Sequence, residues 1–329
     1  MLNDGFNRNI DYLRLSVTDR CNLRCVYCLP EAAPRFVPSA DLLTDDEIVR
    51  MLRAFAHLGV SKIRITGGEP LVRPGLPALV RRLSLIPGIA DISLSTNGVL
   101  LAGFARELKA AGLSRVNVSL DTLDPERFAR ITRFGSLQNV LAGIEAALAA
   151  GLAPVKLNVV VARGMNEDEI GAFAALTNPK PLHVRFIELM PMGETGFFSP
   201  KRRVPLGEML ASAAPLERVA PEQRPLGHGP ARYYRRPGAA GTIGFISALS
   251  CGFCDSCNRV RLSSNGILVP CLDGNEGVNL RTPLREGARQ NKLMALIRSA
   301  VRDKPKGHGM EARLAASNAN PRFMCQIGG

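Results

Sequence analysis

Cys21, Cys25 and Cys28 stand at C-x3-C-x2-C spacing, so three thiols can converge on one metal centre. A closed tetrahedral zinc site or a fully ligated 4Fe–4S cluster needs a fourth ligand. An iron without a protein ligand can bind substrate; a distant fourth ligand would instead make the set a structural zinc knuckle. A second group lies far along the chain, Cys254, Cys257 and Cys271, with Cys251 just ahead of it. Cys257 and Cys271 flank the hairpin signal Asn265-Gly266, whose folding draws their sulfurs together. Spacing leaves two ligand sets open, 254/257/271 and 251/254/257. Cys251 as a fourth ligand would give a closed zinc ribbon. Arg259 and Arg261 fall on one side of a strand beside this group. Two guanidiniums aimed the same way suit a phosphate, which they grip with forked hydrogen bonds.

The elements that must position these residues alternate. Residues 12–17 have strand composition and deliver the chain to the first cysteine loop. Thr44 and Glu47 form a capping box that opens a helix with Ile48, Leu52, Phe55 and Ala56 on its apolar face, ended by Gly59. Strands are expected at 62–66, 89–95, 115–120, 155–161 and 182–189. Helical stretches are expected at 101–111, 125–150 and 167–176. Six strands with helices between them imply βαβ units and a parallel sheet wound right-handed. Polar and glycine-rich stretches follow the strands: the cysteine loop, residues 67–70, 95–98, 119–121 and 188–191. In a β/α barrel such loops share the rim that carries the active site. The expected fold is therefore α/β, an incomplete (β/α)6 barrel over residues 1–215 and a smaller α+β extension over 216–329 with the second metal site. In that extension short strands are expected at 232–235, 242–246, 259–262 and 267–269, with a last helix over 283–301.

Composition narrows the function. Eight cysteines in a chain without a recognisable export signal argue for metal ligation over disulfides, and for a cytoplasmic location. The most apolar region, 140–161, is interrupted by Glu145, Lys156, Gly143, Gly151 and Pro154, which excludes a spanning helix. Net charge is +13, and residues 281–329 hold ten Lys/Arg against three Asp/Glu. A nucleic-acid surface would interleave aromatics with these cations. The chain has no Trp, and only Phe323 lies in that stretch, so a phosphorylated small molecule is the better match.

The loop from Cys21 to Cys28, with Tyr27 before its last cysteine, resembles the signature of the radical S-adenosylmethionine (SAM) superfamily. Taken with Gly67-Gly68-Glu69-Pro70-Leu71, the run from Cys254 to Arg261, Lys304-Pro305-Lys306-Gly307-His308 and the terminal Gly328-Gly329, the whole chain resembles the GTP 3′,8-cyclase family of molybdenum-cofactor biosynthesis. That resemblance implies two 4Fe–4S clusters and SAM as cofactors. The first cluster, on Cys21, Cys25 and Cys28, cleaves SAM to a 5′-deoxyadenosyl radical that takes hydrogen from ribose C3′ of GTP. The carbon radical attacks guanine C8, giving (8S)-3′,8-cyclo-7,8-dihydroguanosine 5′-triphosphate. The second cluster, on Cys254, Cys257 and Cys271, holds the guanine.

By the same resemblance Tyr27, Gly68, Ser119 and Met190 contact SAM. Arg14, Arg64, Thr96, Lys156, Arg259 and Arg261 bind GTP, the last two also as catalytic residues. The implied partners are GTP, an electron donor and a downstream cyclic pyranopterin monophosphate synthase. No membrane or nucleic acid is implied, and a homodimer is left open. Bland roles compete: core packing for Met190, turn chemistry for Thr96, snorkelling for Lys156 and a solvated face for Arg14. His57 and His183 read as structural, and His308 has no assigned role. Rival readings are another radical SAM protein with an auxiliary cluster, such as a peptide maturase, and a zinc-ribbon nucleic-acid-binding protein.

Overall fold

Strands β1 (Tyr12–Ser16), β2 (Lys62–Thr66), β3 (Asp91–Thr96), β4 (Arg115–Ser119), β5 (Lys156–Val161) and β6 (His183–Glu188) pair in parallel, in chain order. In this computed structural model, residues 1–32, 35–274, 276–317 and 319–328 are described. The sheet continues past six strands: the hairpin partners β7 (Glu217–Arg218) and β8 (Arg232–Arg235) lead to β9 (Thr242–Ile246), which joins β6 in parallel. On the other edge β10 (Arg259–Leu262) lies parallel to β1, followed by β11 (Ile267–Val269) and β12 (Val278–Asn279), both antiparallel. The C-terminal half thus lends a parallel strand to each edge of the barrel sheet, which brings the Arg259-Arg261 strand beside Arg14.

Parallel strands buried on both faces usually read as unbroken apolar runs. These alternate instead, because only their outer faces pack on helices. Leu13, Leu15, Ile63, Ile65, Val116, Val118, Leu157, Val159, Val184 and Phe186 are buried outward. Between them Arg14, Arg64, Asn117, Lys156, Asn158 and Arg185 turn into the lumen, where they line a cavity.

The outer shell is α1 (Asp45–His57), α2 (Leu76–Ser84), α3 (Leu101–Ala110), α4 (Pro125–Thr132), α5 (Leu137–Ala149), α6 (Ile170–Ala175) and α7 (Leu206–Ala213). The Thr44–Glu47 capping box forms as expected, Glu47 N–H donating to Thr44 Oγ1 at 3.2 Å and Thr44 N–H to Glu47 Oε2 at 2.8 Å. The helical region expected over 125–150 is two helices, because Arg133 (φ +60°) and Gly135 (φ +90°) take left-handed backbone between them. The last expected helix likewise divides into α8 (Arg281–Arg285) and α9 (Gln290–Arg302), with Gly287 at φ +86° in the break. Two short helices, α10 (Met310–Ala315) and α11 (Met324–Ile327), finish the chain.

One buried carboxylate ties the barrel to the second cysteine group. Glu188, at the end of β6, accepts from Arg203 Nε (2.6 Å), Ser250 Oγ (2.7 Å), Ser250 N–H (2.9 Å) and Leu249 N–H (3.1 Å). This carboxylate thereby fixes the chain just ahead of Cys251. Glu188→Ala leaves those donors unmet, and urea unfolding should show a loss of about 3 kcal/mol. A change below about 1 kcal/mol would mean that water or a neighbour replaces the carboxylate.

Candidate active site

The first cysteine loop sits on the rim because two other loops hold it there. Gly68 and Glu69 donate their N–H groups to Thr18 O and Arg20 O, both at 2.8 Å. A Cβ on Gly68 would lie 2.3 Å from Arg20 O, and one on Gly67 2.4 Å from Thr18 O, so only glycine permits this approach. With those N–H groups engaged, what the turn can offer a bound ammonium is carbonyl oxygen.

Glu69 next door accepts from Thr96 Oγ1 (2.7 Å), Asn97 N–H (2.6 Å) and Leu71 N–H (3.1 Å). Burial nevertheless pushes its carboxyl up to about 7. Asn97 in turn donates to Asn22 Oδ1 at 2.8 Å inside the cysteine loop. The loop's outer side is held by the end of α4, with Arg24 N–H on Thr132 O (3.0 Å) and Val26 N–H on Ile131 O (2.9 Å). Tyr27 donates its hydroxyl to Asp121 Oδ2 at 2.6 Å, and Asp121 Oδ1 accepts from Val160 N–H at 2.8 Å. Burial raises the Asp121 carboxyl to about 6.

Cys21, Cys25, Cys28, Cys254, Cys257 and Cys271 all line one cavity of about 350 Å³. Cys251 does not line it; its sulfur accepts from Arg232 Nη1 at 3.4 Å instead. Burial pushes the thiols of Cys21, Cys25, Cys28 and Cys254 up, and the neighbouring sulfurs add to the rise in Cys25, Cys28 and Cys254. Burial also disfavours the Cys257 thiolate, but Arg259 and Lys304 outweigh it and hold that thiol below its ordinary value. Cys325 is buried in the same cavity wall, its thiol pushed up to about 12 by burial. Among the described residues no three His, Cys, Asp or Glu side chains converge tightly enough for a single ion. A cubane presents its iron corners over a wider box than one ion's coordination shell. Three thiols spread around a cavity wall would hold a cluster and leave one iron for another ligand.

Between the two thiol sets the lumen is strongly cationic. Arg14, Arg64, Lys156, Arg185, Arg259 and Arg261 line it. Arg115, at the foot of β4, is neutralised by Asp91. Burial lowers the Arg261 guanidinium to about 10, and Arg259 beside it adds to the fall. Burial, with Arg185 and Arg64 nearby, drops the Lys156 ammonium to about 6, its Nζ donating to Leu226 O at 2.6 Å. Arg64 Nε donates to Tyr12 Oη at 2.5 Å, while Arg64 Nη1 and Asn117 Oδ1 are buried with no hydrogen-bond partner among the described residues. A buried orphan donor and acceptor are costly unless a ligand meets them.

Every residue that the sequence proposed for the site lines this cavity: Tyr27, Gly68, Ser119 and Met190, and Arg14, Arg64, Thr96, Lys156, Arg259 and Arg261. Thr96 already spends its hydroxyl on Glu69 and on Gly98 N–H (3.0 Å). Met190 packs with Met192, Ala248 and Met310 in a small apolar cluster at the rim. Gly328 O accepts from Arg14 Nε and from Arg261 Nη1, both at 3.3 Å, so the tail reaches the lumen; Gly329 lies outside the described residues.

Sequence reasoning missed Arg185, Asp121 and Glu69. Arg185 carried a signal, since it alternates with Val184 and Phe186 on β6 as Arg64 does with Ile63 and Ile65 on β2. The other two are acids whose roles follow only from which loops meet. His57 and His183 are structural as expected: His57 Nδ1 meets Arg53 O (2.8 Å) and His183 Nδ1 meets Thr242 Oγ1 (2.8 Å), burial lowering His183 to about 4. His308 acquires a role, its Nε2 bonding Ala248 O at 3.1 Å.

Comparison with known proteins accords with this geometry. The radical SAM superfamily model matches residues 15–177, and that of Molybdenum Cofactor Synthesis C matches 182–310. The GTP 3′,8-cyclase of Pelotomaculum thermopropionicum is 53% identical over 329 residues, covering 100% of both chains. That of Heliobacterium modesticaldum is 51% identical over 327 residues, 99% of each. The structure of Streptococcus suis SuiB bound to S-adenosylmethionine shares the fold at TM-score 0.60 and 14% identity, covering 97% of this chain and 78% of that one. Among the described residues no helix is long and apolar enough to cross a membrane. The three thiols on the rim, the second set across the cavity and identity above one half along the full length converge: the chain belongs to the GTP 3′,8-cyclase family of radical SAM proteins.

Proposed function

We propose that this chain converts GTP to (8S)-3′,8-cyclo-7,8-dihydroguanosine 5′-triphosphate in molybdenum-cofactor biosynthesis. One observation carries the reading: both thiol sets open on a single cavity that five arginines and Lys156 also line. Cys21, Cys25 and Cys28 would hold one 4Fe–4S cluster, and Cys254, Cys257 and Cys271 the other. When bound, the first group supplies the electron that cleaves SAM, and the second an iron corner for the guanine.

The chain's own residues do the rest. Tyr27 is held against β4 by Asp121, which keeps the loop and Ser119 at one distance for SAM. Carbonyls of the Gly67-Gly68 turn accept the SAM ammonium, and Met190 packs beside it. Arg14, Arg64, Lys156, Arg259 and Arg261, joined by Arg185, take the triphosphate with charge-assisted hydrogen bonds. Held between the SAM side and the phosphate side, the ribose presents its C3′ hydrogen to the rim. Thr96 orders the loop through Glu69 as well as facing substrate. Residues 1–215 would thus do the SAM chemistry and 216–329 hold the guanine. The product passes to a cyclic pyranopterin monophosphate synthase.

Anaerobic incubation with SAM, reductant and each nucleoside triphosphate tests the reading by product mass. GTP should be consumed with 5′-deoxyadenosine formed in step, and ATP, CTP and UTP left intact; turnover of no triphosphate would refute it. The ligand choice has its own test. Cys271→Ala should remove about half of the bound iron and spare GTP-independent SAM cleavage, while Cys251→Ala keeps all the iron. The reverse pattern would make Cys251 the ligand.

Lys156 gives a pH signature. In the folded chain it releases its proton near 6, whereas an unfolded lysine holds it to about 10.5, so its contribution to stability grows as pH rises through that window. A triphosphate favours the ammonium, so GTP binding near pH 8 should take up a proton. Calorimetry in two buffers of different ionisation enthalpy should register that uptake, and Lys156→Met should abolish it. Buffer-independent heat in the unaltered protein would show Lys156 already charged.

A further inference from the structure

Near the start of the chain a tight loop buries an arginine that the reaction does not use. Asp4 Oδ1 accepts from Phe6 N–H (2.9 Å) and Arg8 N–H (3.0 Å), and Asp4 Oδ2 pairs with Arg8 Nε at 2.5 Å. Asn7 takes left-handed backbone at φ +61° to close the turn, and Gly5 N–H donates to Arg302 O at 3.2 Å. Asp4 and Arg8 are 5% and 8% exposed, so the pair is held out of water. Such a pair survives only when its remaining donors are met, and here they are met by the second cysteine group. Arg8 Nη1 donates to Cys254 O and to Lys306 O, both at 2.8 Å, and Nη2 to Pro305 O at 2.6 Å.

Cys254 O also accepts from Cys257 N–H at 3.0 Å, so the same carbonyl sets the spacing of two thiols and carries the arginine. On the far side Lys304 Nζ donates to Pro270 O (2.6 Å), one residue before Cys271, and to Arg259 O (3.0 Å). The strip 304–306 therefore joins the Cys254–Cys257 turn, through Arg8, to the Cys271 side, through Lys304.

We propose that Arg8, oriented by Asp4, is a positioning residue for the second iron–sulfur centre, fixing the Cys254–Cys257 turn against the strip that anchors Cys271. The fork makes this role specific to arginine: it spans two carbonyls on the strip and one on the cysteine turn, which a single ammonium cannot do. The proposal rests on the second thiol set holding a cluster.

The test uses the full chain reconstituted without oxygen, as the unaltered protein, Arg8→Lys, Arg8→Ala and Asp4→Asn. Iron per chain, the electron paramagnetic resonance of each reduced cluster with and without GTP, and GTP-independent SAM cleavage are read together. In Arg8→Ala about half of the iron should go, with SAM cleavage retained. Arg8→Lys and Asp4→Asn should keep the first cluster's signal, while the GTP-induced change in the second cluster's signal needs about 10–100-fold more GTP. If all variants keep full iron and an unshifted GTP response, the proposal is overturned. Joint loss of both clusters also overturns it, because that pattern marks Arg8 as general support for the fold. Should Arg8→Ala fail to fold, the two conservative variants decide. A single cluster in the unaltered chain would remove the premise itself, a result distinct from any variant's.

Discussion

Like-charge crowding in the barrel lumen is the constraint to which the rest of the structure answers. Arg14, Arg64, Lys156, Arg185, Arg259 and Arg261 share one cavity wall. Cations that share a low-dielectric interior repel one another, and both burial and that repulsion disfavour their charged forms. Burial first, and neighbouring cations next, lower Arg14, Lys156, Arg185 and Arg261. A sheet would not build this arrangement for stability. It is tolerated because the outer face of the parallel strands packs on helices, where Leu13, Ile63, Val116, Leu157 and Phe186 are fully or almost fully buried. The hydrophobic shell offsets what the lumen costs, and a polyanion bound inside relieves it.

The same division of labour explains the buried acids. None of Asp4, Glu69, Asp121 and Glu188 neutralises a cation that lines the cavity; each anchors a loop. Glu69 joins two rim loops, Asp121 holds Tyr27, Glu188 holds the approach to Cys251, and Asp4 orients Arg8. Glu69 and Asp121 line the cavity, yet their oxygens are engaged by Thr96, Asn97, Leu71, Tyr27 and Val160 rather than by its cations. Preorganisation of this kind means that donors need not be gathered when the anion arrives.

Much of the fold was legible because strand alternation and helix caps are local signals. Thr44 and Glu47 announce their helix, and the Gly67-Gly68 turn is marked by its composition. The cysteine sets were legible because ligand chemistry demands spacing. What the sequence hid was non-local. Nothing near Gly287 says that the helix through 283–301 must break, beyond the glycine itself. The pairing of β9 with β6 and of β10 with β1 joins residues far apart in the chain, as do the contacts of Arg8 with Cys254 and Lys306. On spacing Cys251 competes with Cys271, which the hairpin signal favours. In the fold Cys271 lines the cavity, while the Cys251 sulfur accepts from Arg232.

The tail shows how far backbone chemistry can imitate a ligand. Ile327 O and Gly328 O reach Arg261 Nη1 at 3.4 and 3.3 Å, and Gly328 O also reaches Arg14 Nε. These two carbonyls are neutral acceptors at long range. Gly328 suits the position because its backbone is left-handed at φ +79°, and a Cβ there would lie 3.0 Å from Thr66 Oγ1. Ionised acceptors form hydrogen bonds about twice as strong as neutral ones. A phosphate is therefore a stronger partner for a guanidinium than either of these two carbonyls.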